Sequence, residues 1–197
     1  MTYGLMPAKD YETIDRVLEM VLNDFPQGII NTLEIGVHAG NTSRGVHGFI
    51  SEKGRINFHT GIDSQKDFAM VAPFDGCNFL VGDSLMVADQ VRDNSQHFVF
   101  IDGCHNFQYT AADFLMYKDK VIKNGYLAFH DTGMQIKKFQ DFQGGDKNNP
   151  YHYIACRDAV SKLGLLEDKF PGFKLVIDEW DAEYPTGGIV VVKRIST

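Results

Sequence analysis

Glu34, Asp63, Asp83, Asp102 and Asp131 each stand at or beside the end of an apolar run in this 197-residue chain. A lone acid in such a place is often only the cap of the following helix. Several in succession gather negative charge along one edge, which is costly unless a cation or hydroxyl donors meet it. The positions suggest different partners. Glu34 lies two residues before Gly36, where it suits a ligand carrying an ammonium or other cation. Asp63 follows the glycine turn by about 20 residues, the separation at which an acid can hold ribose hydroxyls. Asp83, one run further on, can accept a hydrogen bond from an exocyclic amine.

These groups must be placed by the segments around them. The first acid is embedded in "IINTLEIGVHAGNTS", Ile29 to Ser43, which opens with the β-branched and apolar run of a buried strand. Gly36 and Gly40 follow, then Asn41, Thr42 and Ser43, any of which can cap a helix. A strand, a glycine turn and a helix start make a nucleotide-type site. Glycine lets the backbone pass close to a ligand, and the helix start supplies unpaired N–H groups. The spacing Gly-x-x-x-Gly is neither the dinucleotide pattern nor a phosphate loop.

The remaining elements follow in alternation. Residues 10–25 put Ile14, Val17, Leu18, Val21 and Leu22 at helical spacing. Thr42 to Ser51 reads as a helix closed by Gly54, and Ile56–Asp63 as a second strand. Cys77–Ser84 is a third strand, with a helix from Ser84 to about Arg92 behind it. His97–Gly103 is the fourth strand. The next helix has Phe107, Ala111, Phe114, Leu115, Val121 and Ile122 on one face, with Gly125 as its stop. Tyr126–Thr132 is the fifth strand. Strands alternating with helices predict a parallel α/β sheet covered on both faces. Residues 132–150 are polar, glycine-containing and aperiodic, as in a lid over a site or a disordered loop. Phe139 and Phe142 would give such a lid an apolar wall. A helix from about Tyr153 to Leu166 and a hairpin-like strand pair, "FKLVIDEW" and "GGIVVVKR", complete the series.

Composition narrows the classes. The net charge of −7 argues against a phosphate backbone as main partner, so no nucleic acid is expected. No run of about 20 apolar residues exists to span a membrane. The start, "MTYGLMPAKDYET", lacks a basic leader with an apolar core, so a cytoplasmic location is expected. Cys77, Cys104 and Cys156 form no Cys-x-x-Cys pair and read as reduced, small buried residues. His47, His59, His97 and His152 have no motif around them and read as surface or satisfied core residues.

The segments "LEIGVHAGNTS", "GID", "VGDS", "FVFIDGCHNFQYTAADF" and "GYLAFHDT", in this order, resemble the class I S-adenosylmethionine-dependent methyltransferases. The branch they resemble carries the Ile-Asp-Gly-x-His signature and includes sugar and macrolide O-methyltransferases. The resemblance implies a Rossmann-like methyltransferase fold in one domain over residues 1–197. Its α/β sheet has seven strands, mostly parallel with one antiparallel strand, and helices on both faces. Glu34, Gly36 and Gly40 would surround the methionine part of S-adenosylmethionine, with His38, Asn41 and Thr42 of the same turn beside it. Asp63 would hold the ribose, Asp83 with Ser84 the adenine, and Asp102 would also reach the cofactor. The resemblance further implies that Asp102 and Asp131 hold a divalent metal and that His105 serves as base. Relatives with a metal site carry two acids after the fifth strand, where this chain has His130-Asp131. Mg²⁺ prefers oxygen ligands, so His130 as a ligand favours a softer ion.

The reading is therefore a methyltransferase that acts on an oxygen of a small-molecule acceptor, such as a sugar or natural product. A homo-oligomer is compatible with it. One alternative is methylation of nitrogen or of a protein side chain. Another is a cofactor-binding module without catalysis, which has no physical need of the pair Asp102 and His105. A nicotinamide-dependent dehydrogenase is disfavoured by the glycine spacing.

Overall fold

The computed structural model describes residues 6–65, 74–133, 154–180 and 187–196. Helix α1 (Ala8–Asp24) begins after Pro7 and buries Ile14, Val17, Leu18 and Val21, the one apolar stripe its spacing provides. Strand β1 (Ile30–Ile35) leads through the glycine turn into α2 (Asn41–Glu52), whose N-cap Gly40 is left-handed with φ of 71°. Strands β2 (Asn57–Asp63) and β3 (Cys77–Val81) follow, then a single helical turn, α3 (Ser84–Val87), continued as a 3₁₀ turn at Ala88–Gln90. Strand β4 (Gln96–Ile101), helix α4 (Phe107–Tyr117) and strand β5 (Val121–Phe129) come next. Helix α5 (Cys156–Lys162) and strands β6 (Phe173–Glu179) and β7 (Ile189–Arg194) close the order.

The strands form one seven-stranded sheet in the order β3-β2-β1-β4-β5-β7-β6. All neighbours run parallel except at β7, which is antiparallel to both β5 and β6. This is the mostly parallel, seven-stranded Rossmann-like arrangement expected, with one reversed strand. Strand side chains alternate between two cores. Leu33, Ile35, Val99, Ile101, Leu127 and Phe129 pack with Phe114 and Tyr117 of α4 on one face. Ile30, Phe98, Phe100 and Ala128 pack with α1 and α2 residues such as Leu18 and Ile50 on the other. Both faces being covered explains why β4 is buried along nearly its whole length. Strand order reverses between β1 and β4, and the carboxyl ends of those two strands open the crevice in which such sheets bind ligands.

Several boundaries differ from expectation. Val121, Ile122 and Gly125 belong to β5, not to the helix before it. Val121 stands seven residues after Phe114, so the buried start of a strand continued the helical apolar spacing. A bulge between Gln96 and Phe98 absorbs the extra residues, since Gln96 pairs with Val121 but Phe98 with Tyr126. The helices expected at 84–92 and 153–166 are shorter, and the second gives way to a turn with left-handed Gly164. Cys156 is buried as expected, Cys77 is half-buried and Cys104 is exposed. His59 is buried, while the His97 ring accepts the Asn31 N–H, so both have structural partners. The expected lid lies outside the described residues except for Thr132 and Gly133. No helix among the described residues is long and apolar enough to cross a membrane.

Candidate active site

A cavity of about 830 Å³ lies at the carboxyl edge of β1, β2, β4 and β5. That volume is ample for a nucleoside-sized ligand. Gly36, His38, Asp63, Asp83, Ser84, Asp102, His105, His130 and Asp131 all reach its wall. The strand-end acids are thus brought together by the parallel sheet, with one exception.

Asp63, at the end of β2, accepts the His38 N–H at 2.9 Å through Oδ2 and the Gln65 N–H at 2.9 Å through Oδ1. It therefore ties the glycine turn to the second strand, and His38 takes a left-handed φ of 46° there. Gly36 sits against the end of β4: a Cβ on it would lie 2.1 Å from the Asp102 carbonyl oxygen.

Asp83 caps α3, accepting the Leu85 N–H at 2.9 Å, and its other oxygen accepts the Tyr109 hydroxyl at 2.9 Å. Ser84 Oγ donates to Asp113 Oδ1 at 2.6 Å, while Asp113 Oδ2 is buried with no hydrogen-bond partner among the described residues. Burial, aided by the nearby Asp83 charge, pushes the Asp113 carboxyl up to about 7. Its folded-state value lies above the unfolded one, so the native state holds an extra proton between the two and stability falls as pH rises through that window. Asp113→Asn should accordingly stabilise the protein by an amount that grows from about pH 4 to about pH 7 and then levels off. Melting temperatures of both proteins across that range check this; a gain independent of pH would contradict it.

The densest cluster is at the ends of β4 and β5. His105 Nε2 lies 3.4 Å from Asp102 Oδ1 and 3.3 Å from Asp131 Oδ2. His105 Nε2 is itself buried and has no hydrogen-bond partner among the described residues. Burial opposes its charged form, but the Asp102 and Asp131 carboxylates outweigh it and raise the imidazole above its usual range. Asp131 has a left-handed φ of 53°, a conformation that side chains other than glycine adopt at a cost. One ligand atom from each of Asp102, His105 and Asp131 lies within 4.8 Å of the others, the geometry of a three-ligand ion site.

His130 is placed differently from its expected role as a metal ligand. Its Nδ1 lies 2.9 Å from Asp102 Oδ1 and its Nε2 3.0 Å from Asp10 Oδ2. Both ring nitrogens thereby have carboxylate partners, with Asp131 Oδ1 a further 3.6 Å from Nδ1, and the three-residue group that fits an ion takes its nitrogen from His105. Burial works against a charged His130, yet Asp102, Asp10 and Asp131 hold it well above the usual imidazole range. The same histidines keep Asp102 well below the carboxylate range despite its burial.

Glu34, Gly40, Asn41 and Thr42 are not brought to this cavity wall. The Glu34 side chain is buried beneath α2, where Ser43 Oγ donates to it and His59 Nε2 lies 3.7 Å away. Burial raises its carboxyl. Gly40, Asn41 and Thr42 instead start α2. Sequence reasoning missed Tyr109 and Cys104 on the wall, and Asp10 behind it. Tyr109 carried a faint signal, being an aromatic residue in the first turn of the helix that follows Asp102.

A family model described as a methyltransferase domain matches residues 33–132. No curated protein sequence matches the chain significantly. Among solved structures, a Staphylococcus aureus protein assigned provisionally as a caffeoyl-CoA O-methyltransferase superposes with a TM-score of 0.70 at 16% identity, covering 98% of this chain and 86% of that one. The O-methyltransferase from Bacillus cereus in complex with SAH gives 0.67 at 14% identity, covering 98% and 84%. The MycE methyltransferase from the mycinamycin biosynthetic pathway, in complex with Mg and SAH, gives 0.63 at 15%, covering 93% and 49%. At these identities the likeness establishes the fold.

Proposed function

The chain belongs to the methyltransferase-domain family, and from that premise we propose that it is an S-adenosylmethionine-dependent enzyme that methylates an oxygen of a small molecule. The observation that carries the reading is the convergence of Asp63, Asp102, His105 and Asp131 on one cavity beside a glycine turn. Two of the similar structures hold SAH, the demethylated form of that cofactor, which supports the cofactor assignment. The residues on the cavity wall are compatible with it: Asp63 would meet hydroxyl donors of the ribose, Asp83 and Ser84 would hold the adenine, and Gly36 would allow close backbone approach. S-adenosylmethionine, when bound, supplies a methyl group on a sulfonium that needs no further activation.

What remains for the protein is to align an acceptor oxygen with that methyl and to take its proton. His105 is the residue best placed to take it, because its ring borders the cavity and its Nε2 is flanked by Asp102 and Asp131. These carboxylates orient the ring and stabilise it once it has gained the proton. A second reading is favoured by that buried nitrogen having no hydrogen-bond partner among the described residues. Asp102, Asp131 and His105 also fit a divalent ion, and one nitrogen with two oxygen donors suits Mn²⁺ or a softer ion at least as well as Mg²⁺. When bound, such an ion lowers the pKa of a coordinated hydroxyl.

Calorimetry with S-adenosylhomocysteine tests the cofactor. Binding is expected, and Asp63→Ala should weaken it by about 1–3 kcal/mol, through lost charged hydrogen bonds and a loosened His38 turn. An intact, folded protein that binds neither S-adenosylhomocysteine nor S-adenosylmethionine would overturn the assignment. Turnover that survives chelation would remove the ion from the reaction.

A further inference from the structure

We propose that Asp10 is a positioning residue of the candidate active site, holding Asp102 in place through His130. Its catalytic consequence rests on the methyltransferase reading above; its geometry does not.

Asp10 lies in the first turn of α1, before the first strand and outside residues 33–132. Only 3% of it is exposed. An amphipathic helix has no need of a buried acid in its first turn; an apolar residue would pack there without the desolvation cost. The carboxylate is instead surrounded by donors. It accepts the Gly188 N–H at 3.2 and 3.1 Å through its two oxygens, and Oδ2 lies 3.0 Å from His130 Nε2. The same imidazole reaches Asp102 through Nδ1 at 2.9 Å. One planar ring thus bridges two carboxylates, and it cannot turn without leaving both. Gly187 closes the far side, since a Cβ there would lie 2.7 Å from Asp10 Oδ2. Asp102 in turn lies 3.4 Å from His105 Nε2, so the series runs from α1 to the cavity. Partners of this kind, one step behind a functional carboxylate, fix its orientation.

The test reads Asp102 directly. Its carboxyl ¹³C resonance, assigned by its loss in Asp102→Asn, is followed in the full chain and in Asp10→Asn, His130→Gln and the double variant. The expected result is that Asp10→Asn and His130→Gln each move the Asp102 resonance, while Asp10→Asn adds nothing in the His130→Gln background. If Asp10 merely anchored Gly188, the Asp102 resonance would stay in place in a folded Asp10→Asn protein. That outcome, or shifts that add in the double variant, would overturn the proposal. Should Asp10→Asn fail to fold, Asp10→Ser, smaller but still able to accept the Gly188 N–H, takes its place in the same cycle. With an acceptor in hand, Asp10→Asn should lower kcat by about 10–100-fold while acceptor KM and S-adenosylhomocysteine affinity stay within about threefold. Failure of the wild-type protein to bind S-adenosylhomocysteine would sink the methyltransferase reading and leave the Asp10–His130–Asp102 coupling standing on the resonance data.

Discussion

Replacing His105 with alanine lowers kcat by about 10²–10⁴ and leaves S-adenosylhomocysteine binding within about threefold, if the ring is the base that receives the acceptor's proton. The split between the two measurements matters. Asp63, which would hold the ribose, lies on a different strand end and does not touch His105 among the contacts of the cluster. The pH profile supplies a second signature. A base must be deprotonated to act, so activity falls as pH drops through its pKa. Asp102 and Asp131 raise that pKa, and the acidic limb therefore sits above the ordinary imidazole value of 6.5. In His105→Ala the limb should vanish. A variant with near-normal turnover and an unchanged limb would rule His105 out as the base. If chelation then abolished turnover, activation would lie with an ion held by the Asp102 and Asp131 carboxylates.

The second large effect is on stability. Gly36→Ala should cost about 3 kcal/mol or more, read as a lower urea midpoint with an unchanged slope. Two contributions add. The backbone at Gly36 has φ of 89°, where an L side chain is strained by about 1–2 kcal/mol. The new methyl would also stand 2.1 Å from the Asp102 carbonyl oxygen, 2.5 Å from its carbon and 2.7 Å from Gly103 Cα, all backbone atoms that move only if the end of β4 moves. Gly28→Ala is the control. Its φ is 82°, yet nothing lies within 4 Å of the added Cβ, so only the conformational cost remains. Equal losses in the two variants would show that close approach contributes nothing. Because the displaced backbone is that of Asp102, Gly36→Ala should also reduce turnover in whatever fraction stays folded.

Much of this site is legible in the amino-acid order. Buried parallel strands announce themselves as apolar runs, and the acids ending them must share one edge once the sheet is parallel. Asp63, Asp83, Asp102 and Asp131 follow from that alone. Glu34, which precedes the strand end by one residue, does not reach that cavity wall. Ile30, Thr32 and Glu34 alternate onto the face that α2 covers, whereas Leu33 and Ile35 point the other way. The period is visible, but which face carries α2 is not. The partners of His130 are illegible for a different reason. Its second partner, Asp10, is 120 residues away in sequence, and no spacing rule connects a helix start with the end of the fifth strand. Tyr109 is similar: its hydroxyl bonds Asp83 across 26 residues, through the packing of α4 beside α3. Contacts that close only in the tertiary fold leave no local trace.

The place of β7 bears on how the molecule is made. Residues 189–194 insert between β5 and β6, so an interior strand is synthesised after both of its neighbours. Until it emerges from the ribosome, β5 presents an open edge and β6 has no partner in the sheet. The Gly188 N–H that Asp10 accepts is also missing until then, and so is the buried Ile189–Val192 run that completes both cores. Growth from the ribosome therefore cannot finish this sheet strand by strand. Only β1 to β5 can pair in the sheet before β7 is made, and joining β7 to β5 then closes a non-local contact, Phe129 with Val190, of the kind that forms slowly. During that interval the open β5 edge is where a second nascent chain, or a chaperone, would first take hold.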